Sequence, residues 1–465
     1  MGWRAAEILA ATGGKVLCDG GKSRFGEIVT DSTQVKPGSV FVALKGERHD
    51  GHRFIGEAVR RGAGCVVAHR AVPRAALGGA SVIKVADTLR ALGDLAHYRR
   101  RQLGPKVLAI TGSNGKTTTK EMVAAILEEA FGGKRGDGIL KTEGNFNNLV
   151  GLPLTLLRLR QRDKIAVVEL GTNHPGEIQR LTEIADPDLG MVTSVAAAHL
   201  EGLRSLAGVA REKGSLYRTM RSDGAAAVNL DDPWVRRIAG KFHGRKISYG
   251  ARGWVRARSW KLRGAGGMQF KLQAGKRACN VRLSYIGRHN VTNALGAAAL
   301  TLGAGAPLAA VCRGLAKARP FAMRTQCEDW RGIGIINDAY NANPASMQAA
   351  LETLAELPCR GRRIAVLGDM FELGKHTARE HRALGRNAAH SGVDFLFLLG
   401  ERAELMRRGA RAGGMSAARI VIGKDHADLG ERLRALATKG DWLLFKGSRG
   451  MRMEKVLAAL KSGKV

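Results

Sequence analysis

The sequence is poor in several features that would tie it to common protein classes. Its six cysteines (Cys18, Cys65, Cys279, Cys312, Cys327 and Cys359) are scattered through 465 residues, with no CxxC pair. That spacing argues against a disulfide framework or a structural zinc site and fits a reducing compartment. The 12 histidines form no HExxH pattern. Aromatic residues make up only 5 % of the chain, few for stacking on bases, and no zinc-finger spacing or aromatic-rich RNA-binding signature accompanies them. The start, MGWRAAEILAATGG, has an early Arg and Glu and no long apolar core, so it does not read as a signal peptide. The uncharged run Asn290–Cys312 contains Asn, Thr, three glycines and Pro307, and reads as a buried helix followed by a loop rather than a membrane span. The expectation is a cytoplasmic monomer with no membrane span.

What is present is an ordinary core-forming composition, 45 % hydrophobic and 25 % charged, in a chain long enough for two to four domains. The net charge of +34 is the unusual bulk feature. Lys and Arg are spread along the whole chain with only short clusters such as Arg99–Arg101, which favours polyanionic small substrates over nucleic acid as the partner.

Apolar strand patterns alternate with helical spacing through most of the chain, the signature of parallel α/β sheets. A first block, 1–104, holds VFVALKG (Val40–Gly46) and a helix leading into a strand at Cys65–Ala68. A second, 105–319, opens with the strand Lys106–Ile110, followed by a Gly-containing loop and helical spacing over Lys116–Phe131. Strands are predicted at Ile165–Gly171, Gly190–Val195 and Ala225–Leu230, and alternation between Trp254 and Ser284 predicts appended β-hairpins. A third, 320–465, has strands at Gly332–Asp338, Arg363–Met370, Val393–Gly400 and Asp441–Arg449. The fold class is α/β: three consecutive α/β domains, the central one a P-loop-type parallel sheet with hairpins and the last doubly wound and Rossmann-like.

The stretch TGSNGKTTTK (Thr111–Lys120) sits between a strand and a helix, where backbone N–H groups and a helix N-terminus converge on an anion. Gly112 and Gly115 let the backbone approach; Lys116 supplies charge and Thr117 a hydroxyl suited to magnesium. A standard P-loop would have glycine where this chain has Ile110. Such a site also needs a carboxylate at a neighbouring strand end, and Glu169 closes IAVVELG; His199, just after GMVTSV, is a further possible ligand.

The ordered set TGSNGKTT, TEGNFNNLVGLPLTLL, VVELGTNHPGEI, AHLEGL, GRHNVTNALGAA, NDAYNANPASM and LGDMFELG resembles the Mur ligases, with DSTQVKPGSVFVALKG and DGHRFI extending the likeness to the first block. That family's loop is TGxxGKTT, so Ile110 is no defect. The resemblance implies an ATP-dependent amide ligase of peptidoglycan synthesis. NDAYNANPASM, LGDMFELG and FKGSRGMRMEKV look like the members that join D-alanyl-D-alanine to UDP-N-acetylmuramoyl-tripeptide, and the DNPR motif of the diaminopimelate- or lysine-adding members is absent. Another amino-acid ligase of this family and, from a different class, a basic ATP-switched nucleic-acid-binding protein stand as alternatives.

By resemblance, Asp31, Ser32, Gly46 and His52 lie near the UDP-sugar end, with Thr33 standing where the family commonly has Arg. ATP is held by Gly112, Ser113, Asn114, Gly115, Lys116, Thr117 and Thr118, with Asn293 at adenine, Arg324 at the γ-phosphate and Asp338 at the ribose or hinge. Mg2+ ligands are Thr117, Glu169, His199 and Lys213, the last where relatives carry a carbamylated lysine; an unmodified surface lysine is the plain alternative. Lys116, Glu169, His199, Lys213 and Arg324 form the catalytic set, and Asn341, Asn343, Ser346, Ser448 and Arg449 are the D-alanyl-D-alanine candidates. The implied chemistry is an acyl phosphate captured by an amine, with closure of the third domain onto the second.

Overall fold

Short runs of β-branched and small apolar residues, buried on both faces, become parallel strands in this chain. The computed structural model describes residues 2–46, 49–132 and 138–462. Contacts group the chain into two units, Met1–Ala109 with Asp137–Gly171 and Gln179–Asp188, and Ile110–Gly136 with Thr172–Ile178 and Leu189–Val465.

In the first unit a five-stranded sheet runs in the order Lys15–Cys18, Ser81–Lys84, Cys65–Ala68, Val40–Val42, Ile28–Val29, with only the first strand antiparallel to its neighbour. The period-2 rule explains its two cores. Val40, Val42, Cys65 and Val67 face Trp3, Ile8, Leu92 and Leu95, whereas Phe41 and Val66 face Ile55, Ala58 and Val82. Asp87 caps the helix Thr88–Leu103 by accepting from the Leu89 and Arg90 N–H groups, and left-handed Gly104 ends it. The parallel strand pair Ile139–Lys141 and Ile165–Glu169 also belongs to this unit.

In the second unit Leu189–Val192, Ala225–Asn229 and Arg245–Tyr249 are parallel neighbours. The predicted hairpins follow as antiparallel strands Val255–Leu262, Met268–Ala274 and Arg277–Leu283. The run Asn290–Cys312 is one helix (Arg288–Gly303), a connection, and the start of a second (Leu308–Lys317), where a loop was expected; Pro307 takes the N-cap position, which its fixed φ suits. Cys279 and Cys312 form a disulfide with Cα atoms 6.7 Å apart, a pairing that their separation of 33 residues does not signal.

The last sheet has the order Gln326–Trp330, Ile333–Asn337, Trp442–Lys446, Arg363–Gly368, Phe395–Leu399, Ile420–Ile422, parallel except for the first strand. The chain's final strand is inserted between Ile333–Asn337 and Arg363–Gly368. That insertion makes a topological switch point, so three loops meet at adjacent C-terminal strand ends, where doubly wound sheets bind ligands. They are NDAYNANP, GDMFELG and KGSRG. Among the described residues no helix is long and apolar enough to cross a membrane.

Candidate functional site

The phosphate loop has the backbone its sequence demands. Gly112 (φ 147°) and Gly115 (φ 79°) occupy conformations that side chains rarely adopt. A Cβ on Gly112 would lie 1.8 Å from Thr193 Oγ1, and one on Gly115 would lie 2.3 Å from Asn293 Oδ1. Ser113 is pinned to the end of the neighbouring strand: its N–H donates to Ser194 O (2.9 Å) and its Oγ accepts from Ala196 N–H (2.9 Å). The Asn114 N–H donates to Ser194 Oγ (3.2 Å). The helix Lys116–Phe131 starts at Gly115, which has no side chain to cap it, so its N-terminal turn faces the loop as a ready anion site. Lys116 Nζ donates to Gly112 O at 2.8 Å, and Thr117 and Thr118 are buried in the first turn.

A cavity of about 220 Å³ opens beside this loop, lined by Ser113, Lys116, His199, Asn341, Asn343, Phe371, Glu372, Ser448 and Arg449 among others. The three loops of the switch point supply its far wall. Asn114 and Asn343 exchange amide hydrogen bonds across it (2.7 and 3.3 Å). His199 Nδ1 lies 2.5 Å from Glu372 Oε2, and the Glu201 N–H donates to Glu372 O at 3.1 Å. The His199 contact holds the Glu372 carboxyl below its ordinary range against the opposing effect of burial. Both residues have positive φ, 56° and 61°, so each side chain is presented from a strained turn. Ser448 is buried; its Oγ accepts from the Phe371 N–H (2.8 Å) and ties two of the loops together.

Arg324 stands between Met323 (φ 60°) and Thr325 (φ 51°), with its guanidinium carbon 4.0 Å from the Tyr340 ring centre. Its Nε is buried without a hydrogen-bond partner among the described residues, as expected of a donor that awaits an anion. Asp338 holds this turn. It accepts from the Thr325 N–H (2.9 Å) and pairs with Lys446 (2.5 Å), which also donates to Asn341 O (3.0 Å).

The comparisons with known proteins agree with this geometry. The Mur ligase family catalytic domain matches residues 24–100, the Mur ligase middle domain 110–301, and the Mur ligase glutamate ligase domain 323–449. The UDP-N-acetylmuramoyl-tripeptide--D-alanyl-D-alanine ligase of Escherichia coli (strain K12) is 37 % identical over 441 residues, 93 % of each chain. A crystal structure of MurF from Acinetobacter baumannii superposes with a TM-score of 0.89 at 33 % identity, covering 99 % of both chains. MurF from Thermotoga maritima in complex with ADP gives 0.81 at 28 % identity, over 93 % of this chain and 96 % of that one. The chain belongs to the Mur ligase family.

In this Mur ligase the predicted residues are not all placed alike. Lys116, Ser113, His199, Asn341, Asn343, Ser448 and Arg449 share the cavity, and Asn293 abuts the loop at Gly115. Ser346 does not line it: Asn343 and Ser346 form the capping box of the helix Pro344–Glu356, each side chain accepting from the other's N–H. Arg449 also pairs with Glu454 (2.8 Å). Lys213 ends the helix Leu206–Lys213 at 1 % exposure, so it is not a solvated surface lysine. Glu169, in the first unit, is buried; its N–H donates to Thr142 Oγ1 and its Oε1 accepts from Asn147 Nδ2 (2.9 Å).

At the positions expected near the UDP end, Asp31 caps the turn Ser32–Gln34 and accepts from the Thr33 N–H and hydroxyl; those Thr33 bonds keep its carboxyl below the ordinary value. Thr33 thus serves a local turn. Ser32 Oγ donates to Glu57 (3.2 Å), and the Gly46 N–H donates to His49 O (2.9 Å). His52 is engaged at both ring nitrogens, by Asp50 (2.8 Å) and by the His69 N–H (3.3 Å). Sequence reasoning missed Glu372, Tyr340, Lys446 and Asp50. All four lie inside quoted motifs (DGHRFI, NDAYNANPASM, LGDMFELG and FKGSRGMRMEKV), which is the signal that could have found them.

Proposed function

We propose that this Mur ligase joins D-alanyl-D-alanine to UDP-N-acetylmuramoyl-tripeptide with consumption of ATP, in peptidoglycan precursor synthesis. The observation that carries the reading is the near full-length likeness to ligases of that name together with a cavity bringing the loop lysine against the motifs specific to them. The domain division 1–104, 105–319 and 320–465 is part of this proposal, with the first domain holding the UDP end through Asp31, Ser32, Gly46 and His52.

A carboxylate is a poor acyl donor, so the tripeptide's terminal carboxylate attacks the γ-phosphorus of ATP, the bond to the β-phosphate oxygen breaks, and ADP leaves. The amine of D-alanyl-D-alanine then attacks the acyl carbon, giving the amide, inorganic phosphate and a proton. Lys116 and Arg324 neutralise charge that develops on the transferring group, and the N-terminal turn of the Lys116–Phe131 helix adds fixed N–H dipoles. Asn341, Asn343, Ser448 and Arg449 offer amide, hydroxyl and guanidinium groups to a zwitterionic dipeptide.

Among the described residues no three His, Cys, Asp or Glu side chains form a metal cluster on their own. The expected donors are a mixed set, and the hydroxyl of Thr117 and carboxylate of Glu169 fit a hard ion that keeps several waters. Thr117, Glu169, His199 and a carbamylated Lys213 would hold Mg2+, which would supply charge neutralisation at the phosphates. With Nδ1 on Glu372, His199 has Nε2 left for that role.

The test is ATP-dependent phosphate release with each UDP-linked precursor and its usual acceptor offered in turn. Release only with the tripeptide and D-alanyl-D-alanine is expected. Release with diaminopimelate or D-glutamate and a shorter precursor would reassign the member while keeping the chemistry. No release from a chain that still binds ATP would overturn the reading.

A further inference from the structure

Acidic residues, unlike basic ones, are distributed very unevenly. The 95 residues from Pro233 to Cys327 contain 19 Lys and Arg and not one Asp or Glu. This block carries more than half of the chain's net charge of +34. It includes the three-stranded hairpin sheet, which none of the catalytic roles above uses.

The register sorts that sheet into two faces. Met268, Phe270, Leu272, Val281 and Leu283 are buried, and Cys279 on the same side is bonded to Cys312 of the helix beneath. The opposite face pairs Arg256 with Gln273, Lys261 with Gln269, Gln269 with Arg282, and Lys271 with Asn280. Arg258 joins it by donating to Gln273 Oε1, and Arg263 by donating to Gln269 Oε1 (2.8 Å). Six cations therefore share a face whose other polar groups are neutral amides. Among the described residues none of the six forms an ion pair, in contrast to the many Arg–carboxylate pairs of the last sheet's helices, such as Arg407–Glu404 and Arg432–Asp428. One tryptophan lies at the margin of this face, Trp254 before the first strand (44 % exposed), whereas Trp260 pairs with Phe270 and so belongs to the other side of the sheet, where it stacks with Arg288.

We propose that this outward face of the hairpin sheet docks the protein on the surface of an anionic lipid bilayer. A sheet face offers several cations to a surface of phosphates at once, and each adds to the attraction within a Debye length. The exposed indole of Trp254 at its margin suits the headgroup layer, where Trp is enriched. Nucleic acid is the poorer fit. No aromatic side chain stands among the six cations to stack on bases, and no helix or ribbon projects from the face to enter a groove.

The experiment is vesicle flotation of the full chain with phosphatidylcholine vesicles, with and without ~30 % phosphatidylglycerol, at low and high salt. Wild type is expected to float with anionic vesicles only, and less at high salt. The variant Arg258→Gln/Lys261→Gln/Lys271→Gln/Arg282→Gln is expected to lose more than ~10-fold in bound fraction with phosphate release unchanged, which shows that it is folded. A control variant removing four exposed cations off the sheet, Arg236→Gln/Arg237→Gln/Lys241→Gln/Arg386→Gln, should float nearly as wild type. Three results would overturn the proposal: no flotation of wild type, equal loss in both variants (net charge rather than a face), or tighter binding to random duplex DNA or single-stranded RNA that the hairpin variant abolishes.

Discussion

Lys116 and Arg324 are presented in opposite ways, and each presentation can be tested. Lys116 begins a helix and folds back onto the carbonyl of Gly112, so its ammonium is held over the loop before any nucleotide arrives. Lys116→Ala is expected to lower phosphate release by ~10²–10³-fold or more, with binding of the UDP-linked substrate intact; loss of both in titration calorimetry would mean that the loop also builds the sugar-nucleotide site. Arg324 depends on a neighbour. Tyr340 accepts its guanidinium over the ring and, through its N–H, holds Met323 O at 3.1 Å. A cation–π contact of this kind is worth ~0.5–2 kcal/mol, so Tyr340→Ala should cost roughly tenfold in kcat, and Tyr340→Phe, which keeps the ring, should cost little. If Phe and Ala are equally impaired, the hydroxyl rather than the ring matters and Tyr340 is not positioning Arg324.

At the scale of elements, the loop Asp369–Gly374 shows how a cavity wall is held from behind. His381, on the helix Thr377–His390, is fully buried; its Nδ1 donates to Thr377 O (2.7 Å) and its Nε2 accepts from the Met370 N–H (3.0 Å). That arrangement needs the neutral ring. Burial holds its pKa below the ordinary value, although nearby Asp369 (4.0 Å) works in the other direction. A group whose folded pKa is depressed in this way binds fewer protons folded than unfolded. Its stabilisation is complete above about pH 6.5 and is lost as pH falls below that value. Thermal melts between pH 7.5 and 5.5 should therefore show a falling midpoint, and His381→Gln, whose amide oxygen can accept the Met370 N–H, should flatten that slope. An unchanged slope would place the titration elsewhere.

The same loop marks the limit of what sequence could reveal. Local signals were legible: Cys65–Ala68 and Lys116–Phe131 have the predicted bounds, because a buried strand and a helix after a Gly turn depend on neighbours in the chain. Contacts such as Asn114–Asn343, separated by 229 residues, leave no periodic trace, so the partners of His199 and Arg324 stayed hidden. Ser346 was misread for the reverse reason. It lies in a quoted motif, but the Asn343–Ser346 spacing is that of a helix cap, a local signal outweighed by a functional expectation.

For the whole molecule the charge of +34 makes a kinetic argument of its own. The UDP-linked substrate carries a diphosphate and peptide carboxylates, whereas D-alanyl-D-alanine is a zwitterion. A strongly positive protein draws the first toward it over distances comparable to the Debye length and leaves the second indifferent. Between about 20 and about 300 mM salt, kcat/KM for the UDP-linked substrate should fall roughly tenfold while kcat and the KM for the dipeptide stay nearly constant. Potassium glutamate and sodium chloride at equal ionic strength should act alike, because screening rather than anion competition is responsible. A parallel fall in kcat would instead locate the salt effect in the bound complex. If the hairpin variant with four cations removed keeps the same slope, steering arises from the fields around the site, and the acid-free face remains free for another partner.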